Sequence, residues 1–347
     1  MKVLHILNST AYSGAENVVI SIIEALREEI EFIYMSPCGT IKDVLKEKNI
    51  EYYPVPKLSI GNIKKAIQYY HPDVIHAHDF TAGTLTGLTG SDVPIIHHLH
   101  NNPLWIKRRG LKSRIYCLAA RKARCILTVS DAIMDEYVYG ECFRSVTKVV
   151  GNPVRVEEIR RKSLSAELQD CSDIAFFGRL SEPKNPLLFL EMISIVKESN
   201  HSVHAIMIGD GEMRGTVEEK IQQLQLQDNV KLYGFVKNPY GLIRHTRIVC
   251  MPSRWEGYGL TAVESLALGK PVVAAAVGGL TGIVDENCGS FCNCAEDYAS
   301  DIKELLNNDA LYAEKSANAE KKAEFLDNYQ VYMNGIRKLY EVEYGRK

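Results

Sequence analysis

Glu256 and Glu264 bracket the start of a helix-like run within Met251 to Gly279, MPSRWEGYGLTAVESLALGKPVVAAAVGG. Between them lies a glycine turn, Gly257-Tyr258-Gly259, followed by Leu260 to Leu268 with the composition of a short helix. The first turn of a helix leaves backbone N–H groups without intrahelical acceptors, and glycines let an anion approach them. A phosphate there gains roughly 0.3–1 kcal/mol from the helix dipole when exposed and up to about 2 kcal/mol when partly buried. Two carboxylates would repel that phosphate unless they face hydroxyl groups instead. A sugar nucleotide supplies both partners, a diphosphate for the N–H groups and diols for the carboxylates. A solvated turn before an ordinary packed helix has the same spacing, and that reading stays open.

A second candidate set is Arg179 and Lys184, in the loop of Phe177-Gly178-Arg179-Leu180-Ser181-Glu182-Pro183-Lys184 just after an apolar run. Two fixed cations there suit a diphosphate, each charge-assisted hydrogen bond being worth roughly 1.5–3 kcal/mol. They also suit a solvated loop. His76/His78 and His98/His100 form two His-x-His pairs, each with both rings on one strand face. That spacing can ligate a metal, and it equally fits core or hydrogen-bonded histidines. No Asp-x-Asp occurs, no cysteine neighbours the pairs, and Cys292-Asn293-Cys294 stands alone, so no metal is expected. His100, at the end of its strand, can also stand at the mouth of a ligand cleft.

From Val93 to Ser130 there is no Asp or Glu, whereas Lys107, Arg108, Arg109, Lys112, Arg114, Arg121, Lys122 and Arg124 are basic. Leu104, Trp105, Ile106, Leu111, Ile115 and Leu118 are interleaved with them. Such a segment, over 104–124, can lie on an anionic membrane, or it can be the solvated basic face of core helices.

These residues need elements to hold them. The run Ile248 to Met251 reads as a buried strand, Gly269 sits where a helix takes a left-handed C′ residue, and Val272 to Ala275 is the next strand, making a βαβ unit. Val3 to Leu7, a loop containing Ser13-Gly14-Ala15-Glu16 and a helix from about Val18 to Leu26 form a similar unit without the dinucleotide glycine fingerprint. Strands follow at Phe32 to Met35, Asp73 to His78, Pro94 to His100 and Cys125 to Val129, with Ser130 as a helix N-cap. The pattern breaks at Gly151-Asn152-Pro153 and restarts at Ile174, with further strands at Val203 to Ile208 and Val230 to Tyr233. From Phe325 a long amphipathic helix runs through Tyr329, Tyr332, Met333, Ile336, Leu339 and Tyr340. Two α/β halves are expected, 1–153 and 154–325, with a terminal helix at about 326–347 returning to the first.

At 347 residues, 46% hydrophobic and 24% charged, the chain has ample material for two cores. A net charge of −2 argues against nucleic acid as the main partner, and nine scattered cysteines fit a reducing compartment. No apolar run approaches membrane-spanning length.

Taken together, SGAE, HPDVIHAHDF, HHLH, ILTVSDAI, FFGRLSEPK, IGDGEMR, VKLYGFV and the Glu-x7-Glu element inside RWEGYGLTAVESLALGKPVVA resemble family 4 of the retaining glycosyltransferases. The resemblance covers nearly the whole chain in order. It implies the GT-B fold, two Rossmann-like doubly wound domains facing across a cleft. It also implies a retaining hexosyltransferase that takes a UDP- or GDP-sugar, works without metal and acts on a glycan or lipid-linked glycan in polysaccharide biosynthesis. The place implied is cytoplasmic, at the inner face of the cytoplasmic membrane. By the same resemblance Arg179 and Lys184 hold the diphosphate, Glu264 the ribose and Glu256 the donor sugar. The N–H groups of Tyr258, Gly259 and Leu260 meet the phosphate and sugar, Gly234-Phe235-Val236 lines the base, and Gly14 and His100 complete the cleft. The family often has a second glycine where Ser13 stands, and Ile-Pro-Glu where this chain has Leu280-Thr281-Gly282. Rival readings are a sugar-nucleotide epimerase or hydrolase of similar fold, a silent nucleotide-sugar-binding subunit, and a nicotinamide dehydrogenase.

Overall fold

The structure, a computed structural model, describes residues 1–10, 14–167 and 170–345. Ser13 of the first glycine loop therefore lies outside the described residues. The chain divides into two compact units, one formed by 1–153 with the terminal helix Tyr329–Gly345, the other by Val154–Asn328.

The first unit holds seven strands, β1 (Lys2–Ile6), β2 (Glu31–Pro37), β3 (Glu51–Val55), β4 (Val74–His78), β5 (Ile95–Leu99), β6 (Ala123–Thr128) and β7 (Thr147–Val149). All pair in parallel, in the order β3-β2-β1-β4-β5-β6-β7. Parallel pairing forces each connection to cross over a face, so helices cover both sides and β4 and β5 are buried along their whole length. The helix Gly14–Leu26 buries Val18, Val19, Ile22, Ile23 and Leu26 on one face of the sheet. Tyr332, Met333, Ile336, Leu339 and Tyr340 of the terminal helix join that same layer.

The terminal helix starts later than its periodicity suggests. Phe325 closes the preceding helix, Asp309–Leu326, and is 84% exposed. Asp327 and Asn328 break the run because their side chains accept the Val156 and Val154 N–H groups, both at 3.0 Å. Ser130 is likewise not a cap, since the helix Ala132–Glu136 begins after Asp131.

The second unit holds β8 (Ser172–Phe177), β9 (Ala205–Ile208), β10 (Val230–Gly234), β11 (Thr246–Met251), β12 (Val272–Ala274) and β13 (Gly289–Phe291), in the order β10-β9-β8-β11-β12-β13, again all parallel. One layer of its core gathers Phe176, Phe189, Ile193, Met207 and Tyr298, the other Val249, Met251, Val263, Leu266 and Leu280. In both sheets the order reverses once, between β1 and β4 and between β8 and β11. At such a point the loops leaving neighbouring strands diverge to opposite faces and open a crevice beyond the strand ends.

Candidate active site

In the second unit the crevice lies beyond β8 and β11. After β8 the chain turns through Gly178 and Arg179, and the Gly178 and Leu180 N–H groups donate to the Ile208 and Asp210 carbonyls at 2.9 and 3.1 Å. Arg179 is exposed and, among the described residues, forms no ion pair. Lys184 ends a short 3-10 turn, Glu182–Lys184, and its ammonium is paired with the Glu256 carboxylate. Both are partly buried, at 23% and 14% side-chain exposure, which places opposite charges where water screens them less than at the surface. The two loops are also joined by the Arg254 N–H donating to the Pro183 carbonyl at 2.8 Å.

The turn after β11 follows its expected course. Gly259 has φ 105° and caps the helix Leu260–Ala267. A side chain there would be strained by the backbone and would meet Leu280 Cδ2 at 2.7 Å. The Glu256 carbonyl accepts the Gly279 N–H at 3.1 Å, so the turn is clamped by the segment that continues into the helix Leu280–Ile283. Leu280 is fully buried and covers Gly259, and at Gly282 an added Cβ would meet open space. Gly269 takes φ 69° after the helix, as its position suggests.

Glu264 is half-buried and accepts a hydrogen bond from the Tyr240 hydroxyl at 2.9 Å. Burial pushes its carboxyl up to about 7, against the Tyr240 hydrogen bond and the positive charges of Lys162 and Lys184. Sequence reading missed Tyr240 and Lys162, which reach this carboxylate from other helices and carry no local motif. Phe235, 75% exposed, and half-buried Val236 stand just past the end of β10, the edge strand. Half-buried Tyr258 packs against the layer that holds Leu280. The second unit thus joins Lys184 to Glu256 directly and sets Glu264 on the helix that Gly259 starts, with Arg179 on the loop shared with Lys184.

The remaining candidates, Gly14 and His100, belong to the first unit. Gly14 opens its first helix. His100 stands one residue beyond β5, its backbone N–H donating to Asp79 Oδ1 at 3.0 Å. His98, two residues earlier, is fully buried, so of that pair only His100 lies past the strand end with some exposure. The two His-x-His pairs are joined by His5 into one cluster. Burial pushes His5 and His100 down to about 3 and holds His76, His78 and His98 well below the usual range, so these imidazoles are neutral. Beyond β1 and β4 lies a cavity of about 280 Å³ lined by Asn8, Glu16, Asp79, Phe80, Asn101 and Trp105 among others. Asp79 takes φ 66°, and burial pushes its carboxyl up to about 7. Neither Glu16 nor Asp79 was singled out as a site residue from sequence, although both stand in quoted motifs.

Two family models match the chain, "Glycosyl transferases group 1" over 156–323 and "Glycosyltransferase Family 4" over 12–158. The chain is a glycosyltransferase of the GT-B fold. HepE of Anabaena, crystallised with UDP-glucose, has the same fold at a TM-score of 0.85, with 22% identity, 99% of this chain and 100% of that chain covered. An uncharacterized glycosyltransferase of Methanocaldococcus jannaschii is 27% identical over 66% of this chain, a stretch that spans 62% of that protein. At 24% identity over 93% of each chain, the glycosyltransferase also resembles the Campylobacter jejuni enzyme that adds N-acetyl-D-galactosamine in α-1,4 linkage to a GalNAc-containing diNAcBac-PP-undecaprenol glycan.

The Glu264 carboxyl, whose folded value is about 7 against 4.5 for the ordinary group, binds its proton more tightly folded than unfolded. Its contribution is therefore fully present below pH 4.5 and is lost as pH rises towards 7. In ligand-free protein, the stability of wild type relative to Glu264→Gln should fall across that window by at most about 3 kcal/mol, less where water screens the carboxylate. Urea titrations of both proteins at several pH values measure this difference. A difference independent of pH would contradict the assigned burial.

Proposed function

We propose that the chain is a family 4 retaining hexosyltransferase that moves a sugar from a nucleotide-diphospho-sugar, of the UDP or GDP type, to a glycan or lipid-linked glycan. The observation that carries the reading is the Lys184–Glu256 pair at the mouth of a glycine-started helix, with Glu264 just over one turn inside it. A diphosphate competes for Lys184 and finds Arg179 and the first helical N–H groups beside it. Glu256, released from Lys184, then accepts from hydroxyls of the sugar, and Glu264 with Tyr240 from the ribose. Phe235 and Val236 offer an apolar edge for the base. HepE crystallised with UDP-glucose and the undecaprenol-linked acceptor of the Campylobacter relative support the choice of donor and acceptor class.

During transfer the bond from the anomeric carbon to the diphosphate oxygen breaks and a bond to the acceptor oxygen forms. Arg179, Lys184 and the helix N-terminus stabilise charge developing on the leaving diphosphate, a preorganised electrostatic effect that calls for no metal. Retention follows if the acceptor attacks from the face the diphosphate leaves, its proton passing to the departing phosphate. In the first unit, the cavity with Glu16, Asp79, Asn8 and Asn101 offers hydroxyl partners and Trp105 and Phe80 offer apolar faces, a combination that suits a glycan. Gly14 opens the helix that follows β1 and His100 stands one residue beyond β5, and we assign both to substrate binding.

Leu104, Leu111 and Leu118 are 51%, 75% and 59% exposed, amid exposed Arg108, Arg109, Lys112, Arg114, Arg121 and Lys122. Among the described residues these six cations form no ion pair, while Lys107 bonds to Glu136 at 3.2 Å. This combination supports peripheral contact with an anionic bilayer, at the inner face of the cytoplasmic membrane in the reading proposed. No described helix is long and apolar enough to cross a membrane.

Glu256→Ala should lower kcat by about a hundred-fold or more with the cognate donor and acceptor, because the sugar loses its positioning carboxylate. An unchanged kcat would overturn that role. Co-sedimentation should show binding to anionic vesicles that falls with added salt and with Leu111→Ser/Leu118→Ser. Equal, negligible binding to anionic and neutral vesicles would remove the membrane from the account.

A further inference from the structure

Five histidines of the first unit share one face of the sheet, because the strand register sets His5 of β1 beside His76 of β4 and His78 beside His98 of β5. His100 extends the row. The rings stack, with centroids 4.3 Å apart for His76/His78, 4.1 Å for His98/His100 and 5.2 Å for His78/His100. Four of them form a hydrogen-bonded chain through Tyr340. His100 Nε2 meets His78 Nδ1 at 2.9 Å, His78 Nε2 meets His5 Nδ1 at 2.9 Å, His5 Nε2 meets the Tyr340 hydroxyl at 3.4 Å, and that hydroxyl meets His76 Nδ1 at 2.7 Å. A neutral imidazole has one N–H and one lone pair, so this chain is satisfied only when every tautomer points the same way. Both directions are available.

His98 belongs to neither. Its two ring nitrogens are buried and, among the described residues, have no hydrogen-bond partner, and His100 Nδ1 is in the same condition. Leaving both nitrogens of a fully buried imidazole unpaired is costly, and a native interior normally supplies a partner. His78, His98 and His100 each bring one ligand atom to within 4.8 Å of the others. We propose that these three imidazoles bind a divalent transition-metal ion of the zinc class. The glycosyl transfer described above is not routed through it, and the proposal stands whether or not that function is correct.

The donor set selects the ion. Three imidazoles without carbonyl or carboxylate ligands suit zinc, nickel or copper and give magnesium and calcium nothing they prefer. Three histidines leave a fourth tetrahedral position open. Metal–nitrogen bonds of about 2.0–2.1 Å at tetrahedral angles put nitrogens about 3.3 Å apart, so the His78/His100 contact need open by only a few tenths of an ångström. The rest of the chain then becomes the support that metal-bound histidines require. With His78 Nδ1 and His100 Nε2 on the ion, His78 Nε2–H donates to His5, His5 Nε2–H to Tyr340, and the Tyr340 hydroxyl to His76, which fixes one of the two directions. The second trio, His5, His76 and His78, is the weaker candidate because its nitrogens are already committed to the chain, save His76 Nε2. Access is available from the cavity beyond β1 and β4, which His78 lines together with Glu16 and Asp79, two carboxyl groups able to draw in a cation.

The test uses the full chain purified without a histidine tag, stripped with chelator and titrated with zinc and with cobalt. The proposal expects close to one ion per chain by mass spectrometry of metals, a rise in Tm with zinc but not with magnesium, and the intense visible absorption of four-coordinate cobalt. His98→Phe should abolish all three while leaving the circular dichroism unchanged, because His98 contributes nothing to the hydrogen-bonded chain. Should that variant not fold, His98→Asn, which cannot overfill the site, takes its place. Wild type that takes up no more zinc than the variant, or a variant that keeps the cobalt spectrum, would overturn the proposal.

Discussion

Each sheet of this chain reverses its strand order once, and the residues with chemistry to offer are collected at those two reversals. Between β8 and β11 the reversal brings the loop of Arg179 and Lys184 beside the loop of Glu256. Between β1 and β4 it opens the cavity with Glu16 and Asp79. The constraint is topological. Parallel strands must be joined by crossovers, and only where successive crossovers leave to opposite faces is the space beyond the strand ends uncovered. Helices, core layers and the clamps of Gly279 on Glu256 and of Leu280 on Gly259 serve to hold these loops at fixed places.

In the second unit the ligand-free arrangement is electrostatically closed on itself. Lys184 and Glu256 neutralise each other in partial burial, and burial favours the neutral form of Glu264 against the Tyr240 hydrogen bond and the nearby lysines. An ion pair of this kind gains little over the hydrated charges, since desolvation offsets most of the Coulomb attraction. In the function proposed, a ligand that brings both a diphosphate and hydroxyl groups displaces this pair, and each charge then gains a new partner.

Much of this was legible before any coordinates. The apolar runs at Ile248 to Met251 and Val3 to Leu7 read as strands because short unalternating apolar runs suit parallel sheets covered on both faces, and Gly269 announced the helix end by its residue type. The positions of Glu256 and Glu264 relative to the glycine turn followed from spacing alone. What escaped was long-range. Tyr240 and Lys162 approach Glu264 from other helices, and the break at Asp327 and Asn328 depends on backbone N–H groups more than 170 positions away in sequence. The histidine pairs were visible as pairs, but their union through His5 and Tyr340 required strand register and the seat of the terminal helix, neither of which a local pattern encodes.

The central claim is that a nucleotide-diphospho-sugar binds at the reversal of the second sheet. Hydrogen–deuterium exchange on the full chain, with and without UDP-sugars and GDP-sugars, tests it most directly. Protection is expected over 178–185, 234–236 and 256–264 with at least one donor, as is its loss when Arg179 and Lys184 are both replaced by alanine. Donor-dependent protection confined to other segments, or surviving that double replacement, would contradict it.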